Sequence, residues 1–189
     1  MERYSKEDAK HEEMLMTLWR TLRPDEELDN RLSKKWIDVG FQGQDPATDF
    51  RGSGFRGLKQ LHTLCTSALT KAKAFEMYRA SQVQEQWFFF CVTGINITQK
   101  LLNSLNDSKD QVYRVDIDSA ILDAKAPVPA TEEQMSTLMD AFYHDVFERF
   151  TAKWTKSKPN IMEFNQFLDD VYGMDFAKQV PELITKNSK

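Results

Sequence analysis

The sequence predicts an all-α fold, a single compact multi-helix domain in which a long glycine-rich loop joins two helices. Three observations carry that expectation. Apolar residues recur at steps of three and four along most of the chain, and no alternating strand pair with a hairpin turn is visible. Glycine is scarce but clustered, five of the seven glycines falling within residues 40–57. A chain of 189 residues fits one domain, 1–189, and its 13 Phe and 4 Trp supply a sizeable core without metals or disulfides.

The elements follow in order. Ser5-Lys6-Glu7-Asp8 reads as a capping box opening a first helix, with Met14, Leu15, Leu18 and Leu22 as its stripe and Pro24 as its end. Residues 26–38 are expected to form a second helix carrying Leu28, Leu32 and Trp36. Beyond the loop, from Phe55 onward, the stripe is Leu58, Leu61, Cys65, Ala68 and Leu69. The stretch 87–105 opens like a strand but continues as a helix through Ile97, Leu101, Leu102 and Leu105. Residues 118–124 suggest a short helix closed by Pro127 and Pro129. Thr131-Glu132-Glu133-Gln134 is a second capping box. Behind it Met135, Leu138, Met139, Phe142, Val146, Phe150 and Trp154 make the longest clean amphipathic stripe. Residues 156–159 close that helix, and 160–171 read as one more.

Composition removes several function classes. With 29 acidic against 25 basic residues, a net charge of −4 and no basic run, nucleic acid is not an expected partner. Cys65 and Cys91 lie in apolar stretches and read as small buried hydrophobes with reduced thiols. Residues 1–22 are charged and helical in pattern, unlike a signal peptide, and the apolar run 87–92 is far short of the ~20 residues of a membrane span. The expected location is therefore cytoplasmic, with the sequons at Asn96 and Asn106 idle. No lipid-anchor motif occurs at either end, so any membrane association is expected to be peripheral, through a partner.

His11, His62 and His144 are scattered, the pair His144 and Glu148 lacks the second histidine of a zinc site, and no nucleophile signature is present. No metal or cofactor is expected. Residues 52–57, Gly-Ser-Gly-Phe-Arg-Gly, match the G-x-G-x-x-G pattern, but that fingerprint needs an apolar strand before it, and residues 44–51 are polar and broken by Pro46. No Gly-Lys-Ser/Thr sequence occurs either. Nucleotide binding by this chain itself is rejected.

The glycine cluster belongs to the segment 36–54, in which Asp45-Pro46 favours a turn. On a plain structural reading Phe41 and Phe50 plug the core while the glycines turn the chain. Ordered loops of this length in compact domains are often functional. The run W-x-x-x-G-F-Q-G-x-x-P-x-T-D-F-R-G-x-G spans Trp36, Gly40, Phe41, Gln42, Pro46, Asp49, Phe50, Arg51, Gly52 and Gly54. It is similar to the signature of the ELMO domain of the engulfment-and-cell-motility family, with a motif core at 36–65. Gly94-Ile95-Asn96-Ile97-Thr98 followed by Leu101 and Leu102 resembles a second, weaker family stretch.

The resemblance implies a role. One branch of the family is implied to activate GTP hydrolysis by Arf and Arf-like small GTPases, through an arginine in Asp-Phe-Arg-Gly that falls on Arg51 here. The other branch consists of larger scaffolds that partner Rac exchange factors and lack this arginine. Arg51 places the chain nearer the activating branch. On that reading the chain is no enzyme by itself: GTP and Mg belong to the partner, and Arg51 is the catalytic arginine finger. Trp36, Gly40, Phe41, Gln42, Pro46, Asp49, Phe50, Gly52 and Gly54 then support the loop or meet the partner, with Gln42 and Asp49 holding the loop or the arginine. Two other readings stand beside it. The domain is a non-catalytic module binding a small GTPase or a Rac exchange-factor complex in cytoskeletal, phagocytic or motile functions, or Arg51 pairs with Asp45 or Asp49 as a folding device. Arg56 is the rival finger, outside the matched motif.

Overall fold

The computed structural model describes residues 2–28, 30–106 and 132–173. Its α-helices are α1 (Ala9–Leu22), α2 (Gly54–Thr66), α3 (Lys71–Ser81), α4 (Phe90–Asn106), α5 (Glu132–Ser157) and α6 (Phe164–Gly173). Among the described residues there is no strand, and the all-α expectation holds. Helix α1 lies on α2, α2 on α4, and α4 on α5, which also carries α3 and α6. The residues 118–124, Pro127, Pro129 and Thr131, singled out in the sequence, lie outside the described residues.

The core forms where the apolar stripes meet. Leu15, Leu18, Trp19 and Leu22 of α1 face Leu58, Leu61 and Leu64 of α2, all buried. From the other side come Phe90, Ile97 and Leu101 of α4, and Phe142, Val146, Phe150 and Trp154 of α5. The last two stack at 5.3 Å between ring centroids and collect Phe88, Phe164 and Phe167 around them. Gly94 is a point of close approach between α4 and its neighbours. A Cβ there would collide with the Tyr143 hydroxyl and stand 3.1 Å from Leu61 Cγ. One polar cross-link runs through this core. Gln60 Nε2 donates to Asp140 Oδ1 at 2.9 Å, and Thr98 Oγ1 donates to Gln60 Oε1 at 2.8 Å, tying α2, α4 and α5 together.

Three expectations change. Helix α1 begins at Ala9, because Asp8 takes the backbone N–H groups of Lys10 and His11. The Ser5 hydroxyl is engaged by Glu7 instead, at 2.7 Å to its carboxylate, in the turn before the helix. Residues 26–38 form no second α-helix, only a 3-10 helix over Lys34–Val39. Trp19 Nε1 donates to Glu26 O and Trp36 Nε1 to Arg31 O, both at 2.9 Å, and these bonds satisfy carbonyls of the non-helical stretch. Finally, α2 stops at Thr66, so Leu69 stands almost fully in solvent rather than continuing the stripe.

Other features follow the sequence. Helix α5 ends near a Lys158 of left-handed φ (48°), and Asn160 and Glu163 form a reciprocal capping box before α6. Cys65 and Cys91 are free and buried, burial pushing the Cys65 thiol up to about 12. Among the described residues no helix is long and apolar enough to cross a membrane.

Candidate functional site

The chain from α1 to α2 is a buttressed arm. Its first part is the 3-10 helix Lys34–Val39, with the Ser33 side chain accepting from Lys35 N and with Trp36 and Val39 buried. It ends at Gly40, where φ is 87°. The Gly40 N–H bonds Ile37 O at 2.9 Å, and its carbonyl accepts from Val92 N at 3.0 Å. A Cβ at Gly40 would collide with the backbone N of Phe90 and stand 2.8 Å from Phe89 C. Only glycine allows the arm to be pinned to the first turn of α4 in this way.

Under the arm the aromatic rings of Trp19, Trp36, Phe41 and Phe50 run edge to face, with successive centroid distances of 5.4, 5.5 and 5.8 Å. Tyr4 stacks on Phe50 at 4.8 Å. Trp36, Phe41 and Phe50 are therefore core residues, the last two as the plain reading of the motif has them.

The second part of the arm is the 3-10 helix Pro46–Arg51. Asp45 caps it, accepting from Ala47 N at 3.0 Å, and buried Pro46 occupies its first position. Arg31 locks the cap from behind. Its guanidinium donates to Asp45 Oδ1 and to Glu12 Oε2, each at 2.6 Å, and to the Tyr4 hydroxyl at 3.4 Å. Burial pushes the Asp45 carboxyl up, but Arg31 and the Ala47 N–H outweigh it and hold it below the usual range. Asp49 is different. Its Oδ2 accepts from Gln42 N at 3.0 Å, closing the arm on itself. Partial burial raises its carboxyl, and the Gln42 N–H and the nearby Arg51 charge pull it back only in part.

Arg51 ends this helix in solvent. Its Nε donates to Thr48 O at 2.9 Å, which fixes the inner edge of the guanidinium. Among the described residues no carboxylate pairs with it. Asp45 is engaged by Arg31 and Asp49 by the Gln42 backbone amide, and the pairing of Arg51 with either, the alternative reading of the motif, is not formed. Gly52 follows, exposed, and then Gly54 with φ 59°. A Cβ at Gly54 would collide with the Glu2 carbonyl, which accepts from Phe55 N at 3.0 Å.

Arg56 has a different environment. It pairs with Asp140 Oδ1 at 2.6 Å and donates to Ser136 Oγ at 3.0 Å and Ser136 O at 3.2 Å, its side chain 17% exposed. That arginine is committed to the α2–α5 contact. The site thus brings Gln42, Asp49, Arg51 and Gly52 to one surface and places Trp36, Phe41, Pro46 and Phe50 beneath it. Sequence reasoning missed Arg31, Tyr4 and Glu12. The partners of Arg31 lie 14 to 27 residues away from it, and no local pattern signals them. Chemically, the arm presents a planar cation with donors to spare, on a rigid frame with little side-chain bulk on its C-terminal side.

Comparison with known proteins agrees with this frame. The ELMO/CED-12 family model matches residues 1–168. ELMO domain-containing protein 1 of Homo sapiens is 30% identical over 190 residues, covering 87% of this chain and 53% of its own length. The Pongo abelii protein of the same name is 32% identical over 181 residues, covering 87% and 52%. ELMO domain-containing protein B of Dictyostelium discoideum is 35% identical over 163 residues, covering 86% and 51%. The chain spans about half the length of the curated relatives it matches. No solved structure matches it. A family model over residues 1–168, most of the chain, shows that the chain belongs to the ELMO/CED-12 family.

Proposed function

We propose that the domain is a GTPase-activating protein for a small GTPase of the Arf or Arf-like class, with Arg51 as an arginine finger supplied in trans. A small GTPase hydrolyses GTP slowly because charge building on the β–γ phosphate oxygens is incompletely neutralised. A guanidinium inserted at that point supplies the missing charge and donates to two oxygens together. The gain is on the order of 10³ to 10⁵ in rate, or about 4 to 7 kcal/mol of barrier. In this reading GTP and Mg belong to the partner GTPase.

The observation that carries the reading is the uncommitted head of Arg51 on an arm whose two aspartates are already engaged. Thr48 O holds Nε while the terminal nitrogens have no partner among the described residues. A finger needs that combination, since a floppy arginine loses entropy on insertion and a salt-bridged one must first break its pair.

The test is single-turnover GTP hydrolysis across a panel of Arf-like and Rac-like GTPases. Acceleration is expected with at least one Arf-class member, and Arg51→Lys nearly abolishes it while binding of the GTPase survives. Undiminished stimulation by Arg51→Lys would sink the finger. Binding without stimulation of any GTPase would favour a non-catalytic interaction module.

A further inference from the structure

We infer that Gln99 of α4 is a positioning residue for Arg51; the inference rests on the activating role proposed for that arginine. The Gln99 carboxamide lies against Gly52, the residue directly after Arg51. A Cβ at Gly52 would collide with Gln99 Oε1 and stand 2.8 Å from its Cδ. Gly52 makes room for the amide, and the amide in turn forms the floor beneath the backbone leading out of the arm. Its Nε2 donates to Asn103 Oδ1 at 2.7 Å, which tethers the side chain along α4.

The other end of the amide is unfinished. Gln99 Oε1 is cut off from solvent and has no hydrogen-bond partner, and the same is true of Ser53 Oγ. Two orphaned polar atoms therefore flank the junction between the 3-10 helix and α2. A buried acceptor without a donor lowers stability, and a methionine of similar reach would fill the same space without that cost. Unsatisfied groups of this kind gather where a protein trades stability for the placement of a functional group. Here the group placed is Arg51. The amide sets the height at which the chain leaves the 3-10 helix, and so the distance by which the guanidinium stands off α4. A misplacement of ~1 Å in such a group costs on the order of a hundredfold in rate.

The experiment compares the whole chain with Gln99→Met and Arg51→Lys, each titrated against the GTP-loaded GTPase that responds in the panel, alongside thermal melting of the free proteins. For Gln99→Met the expected result is a melting midpoint equal to or above that of the native chain and an unchanged half-saturating concentration. The saturated single-turnover rate is expected to be lower by tenfold or more. A saturated rate within twofold of native, in a series where Arg51→Lys is inactive, overturns the role of Gln99 alone. A melting midpoint and rate that fall together make Gln99 a packing residue and overturn it as well. Full activity in Arg51→Lys removes the finger, and the positioning of it falls too.

Discussion

Arg51 closes a 3-10 helix and Arg56 opens α2, with one glycine-flanked junction between them, yet their surroundings are opposite. Arg56 meets a carboxylate from a remote element, Asp140 of α5, and two oxygens of Ser136. Arg51 has two aspartates in its own arm and pairs with neither. Asp45 is spent on Arg31 and on capping Ala47 N, and Asp49 on the amide of Gln42. The arm is thus cross-linked by its acids, while its terminal cation meets no carboxylate among the described residues. The structural arginine receives its partner from across the fold; in the proposed function the other is left for a second molecule because the nearby acids are already engaged. The motif carries both kinds of information, a folding frame in its aromatics and glycines and a free charge at its tip.

Substitutions at the two arginines should separate the two roles, the largest effect coming first. Arg51→Ala is expected to lower stimulated GTP hydrolysis by about 10³, or about 4 kcal/mol of barrier. Its melting midpoint should be unchanged, since the side chain is exposed and makes one backbone contact. A loss of stability in that variant would erase the contrast.

Gly40→Ala should destabilise by about 3 kcal/mol in chemical denaturation. A left-handed φ of 87° and a collision with the α4 backbone act together there. Arg56→Met should cost about 2 kcal/mol of stability, because Asp140 loses its cation in a partly buried site. The saturated hydrolysis rate should stay within a factor of about two, the spread expected for a substitution outside the transition-state contacts.

Asp49→Asn is expected to have the smallest effect, below about 0.5 kcal/mol, because solvent screens a half-exposed carboxylate. Its sign is informative. Burial raises the folded carboxyl above its unfolded value. The stability this confers is therefore full below the unfolded pKa and lost as pH rises through the folded one. The native chain should lose a little stability above pH ~4, the unfolded aspartate pKa, and the asparagine variant should lack that slope while keeping an acceptor for Gln42 N. Melting curves from pH 3 to 7 decide it.

Much of the fold was legible because packing there follows one helix face. Phe142, Val146, Phe150 and Trp154 lie at helical spacing and are all buried. The tip of the site was legible for another reason: Asp45-Pro46 is a local cap signal and Gly40 and Gly54 mark left-handed backbone, each readable without knowing the fold. What failed involved partners distant in sequence. In place of the expected helix over 26–38, the backbone gives two carbonyls to indole N–H groups, one from Trp19 in α1. The clamp on Asp45 comes from Arg31, and the commitment of Arg56 depends on α5, 84 residues away. No local periodicity or motif indicates which of Arg51 and Arg56 will be neutralised, because the neutralising carboxylates are chosen by tertiary structure.

The most direct test is a paired measurement of Arg51→Lys and Arg56→Lys, each at saturating concentration against the same GTP-loaded Arf-class GTPase, by single-turnover hydrolysis. The uncommitted-arginine account predicts that Arg51→Lys leaves the GTPase at its intrinsic rate and that Arg56→Lys stimulates nearly as well as the native chain. Stimulation that survives in Arg51→Lys and is lost in Arg56→Lys would contradict it.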